Sequence, residues 1–168
     1  MRSPKRYNTA YKKKVDVDRD TYLPRLAPKG TFRCGGCGAY YYRRRWSLIP
    51  PAGSAGPIPV NRKYCPACRK TKERYPNGEL HLLNVEAADR GEILNILKNE
   101  QERAQQKNPL ERIMNMEQAA SGWKVETTTE KLAQRLGRAI RKAKGGRLAY
   151  KWSHNNKFVR VFWEKPSD

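Results

Sequence analysis

Cys34-Gly35-Gly36-Cys37 and Cys65-Pro66-Ala67-Cys68 are two Cys-x-x-Cys pairs, and together they hold every cysteine in the chain. Each turn can bring two sulfurs to one side of the backbone. Two such turns supply four thiolates in a tetrahedron, the preferred structural arrangement for a single Zn2+. A closed four-thiolate set keeps no open coordination position, so Cys34, Cys37, Cys65 and Cys68 are expected to hold a structural ion whose removal unfolds residues 31–76. The 27 residues between the pairs exceed the commonest zinc-ribbon spacing, and the run IPPAGSAGPIP at 49–59 absorbs the excess as a Pro/Gly loop. A redox dithiol normally occurs once beside a βαβ pattern, which neither pair has; that reading and an iron–sulfur centre are the weaker alternatives.

Around the first pair runs TFRCGGCGAYYYRRRW, residues 31–46, with no acidic residue. Arginine grips phosphate as a planar fork, and tyrosine and tryptophan offer stacking faces to unpaired bases. Tyr41, Arg43, Arg44, Arg45 and Trp46 are therefore candidate nucleic-acid contacts. Arg62, Lys63, Arg69 and Lys70 near the second pair join them, with Lys72 and Arg74 close by. If Tyr40 to Trp46 is one strand, Tyr40, Tyr42, Arg44 and Trp46 share one face and Tyr41, Arg43 and Arg45 the other, so some of these rings serve as core. A second basic surface lies on a C-terminal helix. There Lys131, Arg135, Arg138 and Lys142 form one stripe free of acids, beside an apolar stripe of Leu132, Leu136, Ala139, Ile140 and Ala143.

The charge of the whole chain agrees with a polyanionic partner. It carries 36 Lys+Arg against 16 Asp+Glu, a formal net charge of +20, and nucleic acid is the usual polyanion for such a protein. The excess is segregated: residues 1–76 carry 19 basic and 4 acidic side chains, 77–122 carry 5 and 8, and 123–168 carry 12 and 4. No run approaches the roughly 18–20 apolar residues that span a bilayer, and the first thirty residues lack the apolar stretch of a secretory signal. A cytoplasmic protein without a membrane partner is expected.

The elements that must position these residues read as an α+β chain. Residues 1–30, with Lys12, Lys13 and Lys14 as candidate phosphate contacts, read as a basic tail, disordered when free. Residues 31–76 read as a four-cysteine zinc ribbon patterned hairpin, loop, hairpin, with strands near Tyr40–Leu48 and Val60–Tyr64. Residues 77–168 read as an α+β domain. GELHLLNV is a strand, Ala87 to about Lys107 an amphipathic helix, and Pro109 to about Ala119 a second helix opened by its proline. WKVETT, TEKLAQRLGRAIRKAK, RLAYKW and KFVRVFW then give βαββ, a small antiparallel sheet with helices on one face, its last hairpin crossing His154-Asn155-Asn156.

No catalytic constellation emerges. His81 and His154 stand alone, and Gly145-Gly146 closes a helix better than it cradles a nucleotide. The chain is read as a non-enzyme.

The two cysteine pairs, RYPNGELHLL, RGEILNILKNEQERA, NPLERIM and VETTTEKLAQRLGRAIRKAKGGRLAYKW resemble a family of short bacterial zinc-ribbon proteins over about residues 31–163. The order of ribbon, helix and βαββ is also similar to the N-terminal part of the archaeal and eukaryotic large-ribosomal-subunit export adaptor, the nonsense-mediated-decay "three" family. That adaptor has further cysteine sets and domains, so its export role does not carry over. The resemblance implies contact with ribosomal RNA, with Cys34, Cys37, Cys65 and Cys68 matching the metal ligands. The leading expectation is thus an RNA-binding protein associated with a ribosomal subunit in biogenesis, hibernation or translation. The runner-up is a DNA-binding regulator, and a third reading is a module whose Ala87–Lys107 helix docks a protein.

Overall fold

In the computed structural model, the residues described are Tyr22 and residues 26–53, 56–61, 63–119, 122–153 and 158–165. The expectations for Lys12, Lys13, Lys14 and Arg62, for residues 1–21 and for the 154–156 turn lie outside them.

Two sheets and three helices make a mixed α+β chain. The first sheet is built from very short strands: β1 (Phe32–Cys34), β2 (Tyr40–Tyr42), β3 (Arg45–Ser47) and β4 (Val60–Asn61), in the order β3-β2-β1-β4, with β4 parallel to β1. Tyr40 to Trp46 is not one strand. Tyr42 pairs with Arg45, so Arg43 and Arg44 form a two-residue hairpin turn, both at positive φ (46° and 64°). A tight hairpin of this kind matches strand twist and usually uses Asn-Gly. Left-handed arginines cost about 1–2 kcal/mol each. The second cysteine pair does not open a hairpin either. It opens α1 (Pro66–Glu73), with Cys65 as N-cap and Pro66 in the first turn, where its missing N–H costs nothing.

The second sheet runs β6-β7-β5-β9-β8, from β5 (Gly78–Leu83), β6 (Ile113–Ala119), β7 (Gly122–Thr127), β8 (Arg147–Trp152) and β9 (Val159–Glu164). It is mixed rather than antiparallel. The strands after residue 122 do not form a sheet of their own, because β5 is inserted between β7 and β9 and runs parallel to β9. Central β5 alternates buried Gly78, Leu80 and Leu82 with half-buried neighbours, the period-2 pattern of a sheet packed on one face. On that face lies α3 (Glu130–Lys144), capped by the Thr129 hydroxyl accepting from the Leu132 N–H. α2 (Arg90–Lys107), entered through a 3-10 turn at Ala87–Asp89, packs on α3 through Ile93, Leu97 and Ala104. Gly137 lets α3 sit close to the sheet: a Cβ there would meet Val161 Cγ1 at 2.8 Å and Leu148 Cδ1 at 3.0 Å.

Residues 109–119 hold the largest departure from the sequence reading. They contain no helix; they make a turn and then β6. The Asn108 side-chain oxygen accepts from the Leu110 N–H at 3.1 Å, its carbonyl accepts from the Glu111 N–H at 3.0 Å, and Gln101 on α2 captures the Ile113 N–H at 2.6 Å. With the first donors taken this way, the chain leaves extended and pairs with β7. Apolar residues at 110, 113, 114 and 116 fit either period over so short a stretch, and the open edge of β7 decides.

Trp163 is 1% exposed, and its indole N–H donates to the Gly145 carbonyl just beyond α3 at 2.9 Å. Trp163→Phe keeps a ring but leaves a gap and an unsatisfied acceptor. Urea denaturation should show a loss of about 1–3 kcal/mol.

Candidate metal centre

Cys34 ends β1 and Cys37 lies in the turn that follows; Cys65 caps α1 and Cys68 sits in its first turn. Their sulfurs all lie within 4.8 Å of one another, none in a disulfide. A tetrahedron with metal–sulfur arms of about 2.3 Å has edges of about 3.8 Å, and Cys37 Sγ lies 3.8 Å from Cys65 Sγ. Backbone amides face the sulfurs: the Cys65 N–H donates to Cys34 Sγ at 3.1 Å, that of Gly36 to Cys34 Sγ at 3.4 Å, and that of Cys68 to Cys65 Sγ at 3.4 Å. Gly36 is confined by this packing, since a Cβ there would lie 2.8 Å from Tyr64 Cδ1 and 3.0 Å from Cys68 Sγ.

The thiols do not share negative charge comfortably. The Cys65 thiol, ahead of Arg112 and the Ala39 backbone, holds Cys37 as a thiolate, pushed down to about 4. Cys65 is driven up, first by that same bond to Cys37 and then by burial, and burial pushes Cys68 up to about 11. Four thiolates in this space need a cation among them, and the donor set suits a thiophilic metal ion.

A fifth residue closes the centre from the second sheet's side. Arg112 donates through Nη2 to Cys37 Sγ at 2.9 Å, through Nη1 to Cys68 Sγ at 3.5 Å and through Nε to the Pro109 carbonyl at 2.8 Å. Burial works to lower its pKa, but the sulfurs outweigh that and keep it raised. Leu110 packs on the cysteine cluster, and the Arg112 N–H donates to Thr128 Oγ1 at 2.8 Å. Nothing in the sequence marks Arg112, because its importance arises only when the 109–112 turn folds against Cys37 and Cys68, 75 and 44 positions earlier.

The predicted basic contacts divide. Arg43 and Arg44 occupy the exposed tip of the β2/β3 hairpin with Arg45 beside them, and Lys63 and Arg69 are exposed. Tyr41 is not a surface ring: it is 4% exposed and stacks on Phe32 at 4.9 Å, with Trp46 5.1 Å away. Lys70 is not available either; it is buried and donates to the Thr128 carbonyl at 3.2 Å. The chain matches no known family, no curated protein and no solved structure.

On α3, Lys131, Arg138 and Lys142 are exposed. Arg135 instead pairs with Glu100 at 2.8 Å and Glu111 at 3.6 Å, so α2 and the 109–112 turn supply the acids that the stripe itself lacks. Arg138 and Lys142, with Arg103, line a groove of about 640 Å³ between α2 and α3. The face of the second sheet away from the helices is self-neutralised: Glu79 pairs with His81 at 3.1 Å and Arg160 at 3.2 Å, and Lys124 with Glu117 and Glu126 at 2.6 and 3.1 Å. No helix among the described residues is long and apolar enough to cross a membrane.

Proposed function

We propose that the chain is a non-enzymatic, cytoplasmic RNA-binding protein in which residues 31–76 form a zinc ribbon and β7, α3, β8 and β9 form a βαββ module extended by β5 and β6. Its partner is ribosomal RNA on a ribosomal subunit, in a biogenesis, hibernation or translation-related role. Zn2+ is favoured by four thiolates at tetrahedral spacing, and Cys34, Cys37, Cys65 and Cys68 would hold it.

One observation carries the reading. Residues 31–76 contain ten basic side chains and a single acid, Glu73, which is engaged by the Tyr22 hydroxyl, whereas most of the acids described elsewhere, such as Glu126, Glu100 and Asp89, are spent on internal ion pairs. Arg44 and Arg45 at the hairpin tip, and Arg138 and Lys142 on α3, make no ion pair among the described residues, which suits them to phosphate. A DNA-reading helix is less favoured, because Gln134, the one amide of α3, donates to the Glu130 carbonyl at 3.2 Å.

Cosedimentation with ribosomal subunits tests the proposal. At 50 mM salt the protein should travel with a subunit, and six or more phosphate contacts would weaken binding by about 10³-fold or more at 200 mM. A protein that stays wholly in the soluble fraction at low salt refutes it, and enrichment of promoter DNA over ribosomal RNA after crosslinking turns the case to a DNA-binding regulator.

A further inference from the structure

Beside the metal centre, between the first sheet and α1, runs a groove of about 1010 Å³. Its wall is aromatic, with Phe32, Trp46 and Tyr64, and its rim carries Lys29, Arg69 and Lys72 beside one acid, Glu73, which the Tyr22 hydroxyl engages while Arg69 lies over the Tyr22 ring at 5.1 Å. Packing on Tyr41 and the cysteine cluster uses only part of these wall rings. Tyr64 stays 39% exposed although it lies against Gly36 of the metal turn, and Phe32 and Trp46 are only half-buried, meeting edge to face at 5.7 Å and 83°. Lys72 Nζ lies over the Tyr64 ring, 5.1 Å from its centroid, a cation–π contact that an entering base would displace to free both the ring and the ammonium. Aromatic rings set beside cations are a means by which proteins hold an unpaired nucleotide, the base stacking and the phosphate paired. The volume is ample, since ligand pockets span about 300–1,000 Å³.

We infer that this groove takes an unpaired nucleotide of RNA, its base lying among Phe32, Trp46 and Tyr64 and its phosphates on Lys72 and Arg69. The inference rests on the RNA-binding reading and adds a preference for single-stranded over paired RNA. The metal sets the groove's shape: Trp46 packs on the cysteine cluster, and Cys65 fixes the start of the helix that carries Arg69 and Lys72. At the hairpin tip Arg43 lies over the single exposed ring of Tyr42, 5.1 Å from its centroid, whereas the groove gathers three rings.

The test uses the full zinc-loaded chain and a 12-nucleotide single-stranded RNA carrying one 4-thiouridine, beside a blunt duplex of the same sequence. Photocrosslinks in the native protein should map to Phe32, Trp46 or Tyr64. Tyr64→Leu should weaken single-strand binding about tenfold while duplex binding and salt slope hold. Lys72→Gln, a surface change, should lower the salt slope by about one. Crosslinks confined to the hairpin tip or α3, or equal affinity for the single strand and the duplex, overturn the groove assignment and leave RNA binding standing. Failure to bind any RNA overturns both. Should Tyr64→Leu lose its zinc, the native crosslinks and Lys72→Gln decide.

Discussion

Chelating the metal is expected to unfold the first sheet and α1 while β5, β7, β9 and α3 stay folded. The asymmetry follows from what each part buries. The second sheet and its helices enclose Leu80, Leu82, Leu97, Val125, Leu132, Leu136, Ile140, Val159, Val161 and Trp163, each at most 1% exposed. Around the metal centre the buried cluster is Cys34, Cys65 and Ala67, with Cys37, Trp46, Cys68 and Leu110 packed against it. Strands of two or three residues cannot hold a sheet on that little apolar surface. A structural zinc site contributes apparent binding free energy of about 10–16 kcal/mol at neutral pH, which equals or exceeds the whole stability of an ordinary domain, about 5–15 kcal/mol. Amide exchange read by mass spectrometry, with and without chelator, should show protection lost across residues 32–47 and 66–73 and kept in β5, β9 and α3. Retained protection in β1 to β3 after complete zinc removal would mean that the rings Phe32, Tyr41 and Trp46 suffice as a core. On the proposed RNA-binding role, RNA affinity should fall with the sheet, since chelation removes the groove and the hairpin tip together.

Where a residue's neighbours in sequence decide its conformation, reading the chain sufficed. Thr129 with its hydroxyl at an N-terminus, the apolar spacing of Leu132, Leu136 and Ile140, and the Pro/Gly run at 49–59 are local signals, and α3 and the long connection stand where they point. The four sulfurs gather because each pair lies within one turn of backbone. Distant partners were another matter. Lys70 looks like any basic residue near the second cysteine pair, yet its ammonium reaches Thr128, 58 positions away. Arg135 lies on a stripe without acids, and its acids come from α2 and the 109–112 turn. The hairpin tip was hidden because Arg43-Arg44 has none of the residues that such turns favour, so a strained turn read as a strand.

Arg112→Met should lower zinc affinity by about 10–100-fold, about 1.4–2.7 kcal/mol, in competition with a chelator of known affinity. Four thiolates around a divalent ion carry a net charge of −2 in a partly buried site, and the guanidinium that touches two of the sulfurs removes half of it. Its fork also fixes where those sulfurs lie, because Nε is held by the Pro109 carbonyl and the backbone by Thr128. Methionine keeps much of the length and apolar stem and removes the charge and donors, so the loss reports the guanidinium rather than a void. Arg112→Lys separates the two contributions. An ammonium preserves the charge but cannot reach both sulfurs and the carbonyl together, so its affinity should fall between wild type and Arg112→Met. The same turn carries Leu110 onto the cysteine cluster, which makes Arg112 a join between metal centre and second sheet as well as a counter-charge. A coupled join predicts that chelation of the wild-type chain loosens exchange at Leu110–Ile113 along with the first sheet, and that Arg112→Met shows this loosening with the metal still bound. Wild-type zinc affinity in Arg112→Met would mean that the amide hydrogen bonds to Cys34 and Cys65 set the centre alone and that the arginine is a bystander.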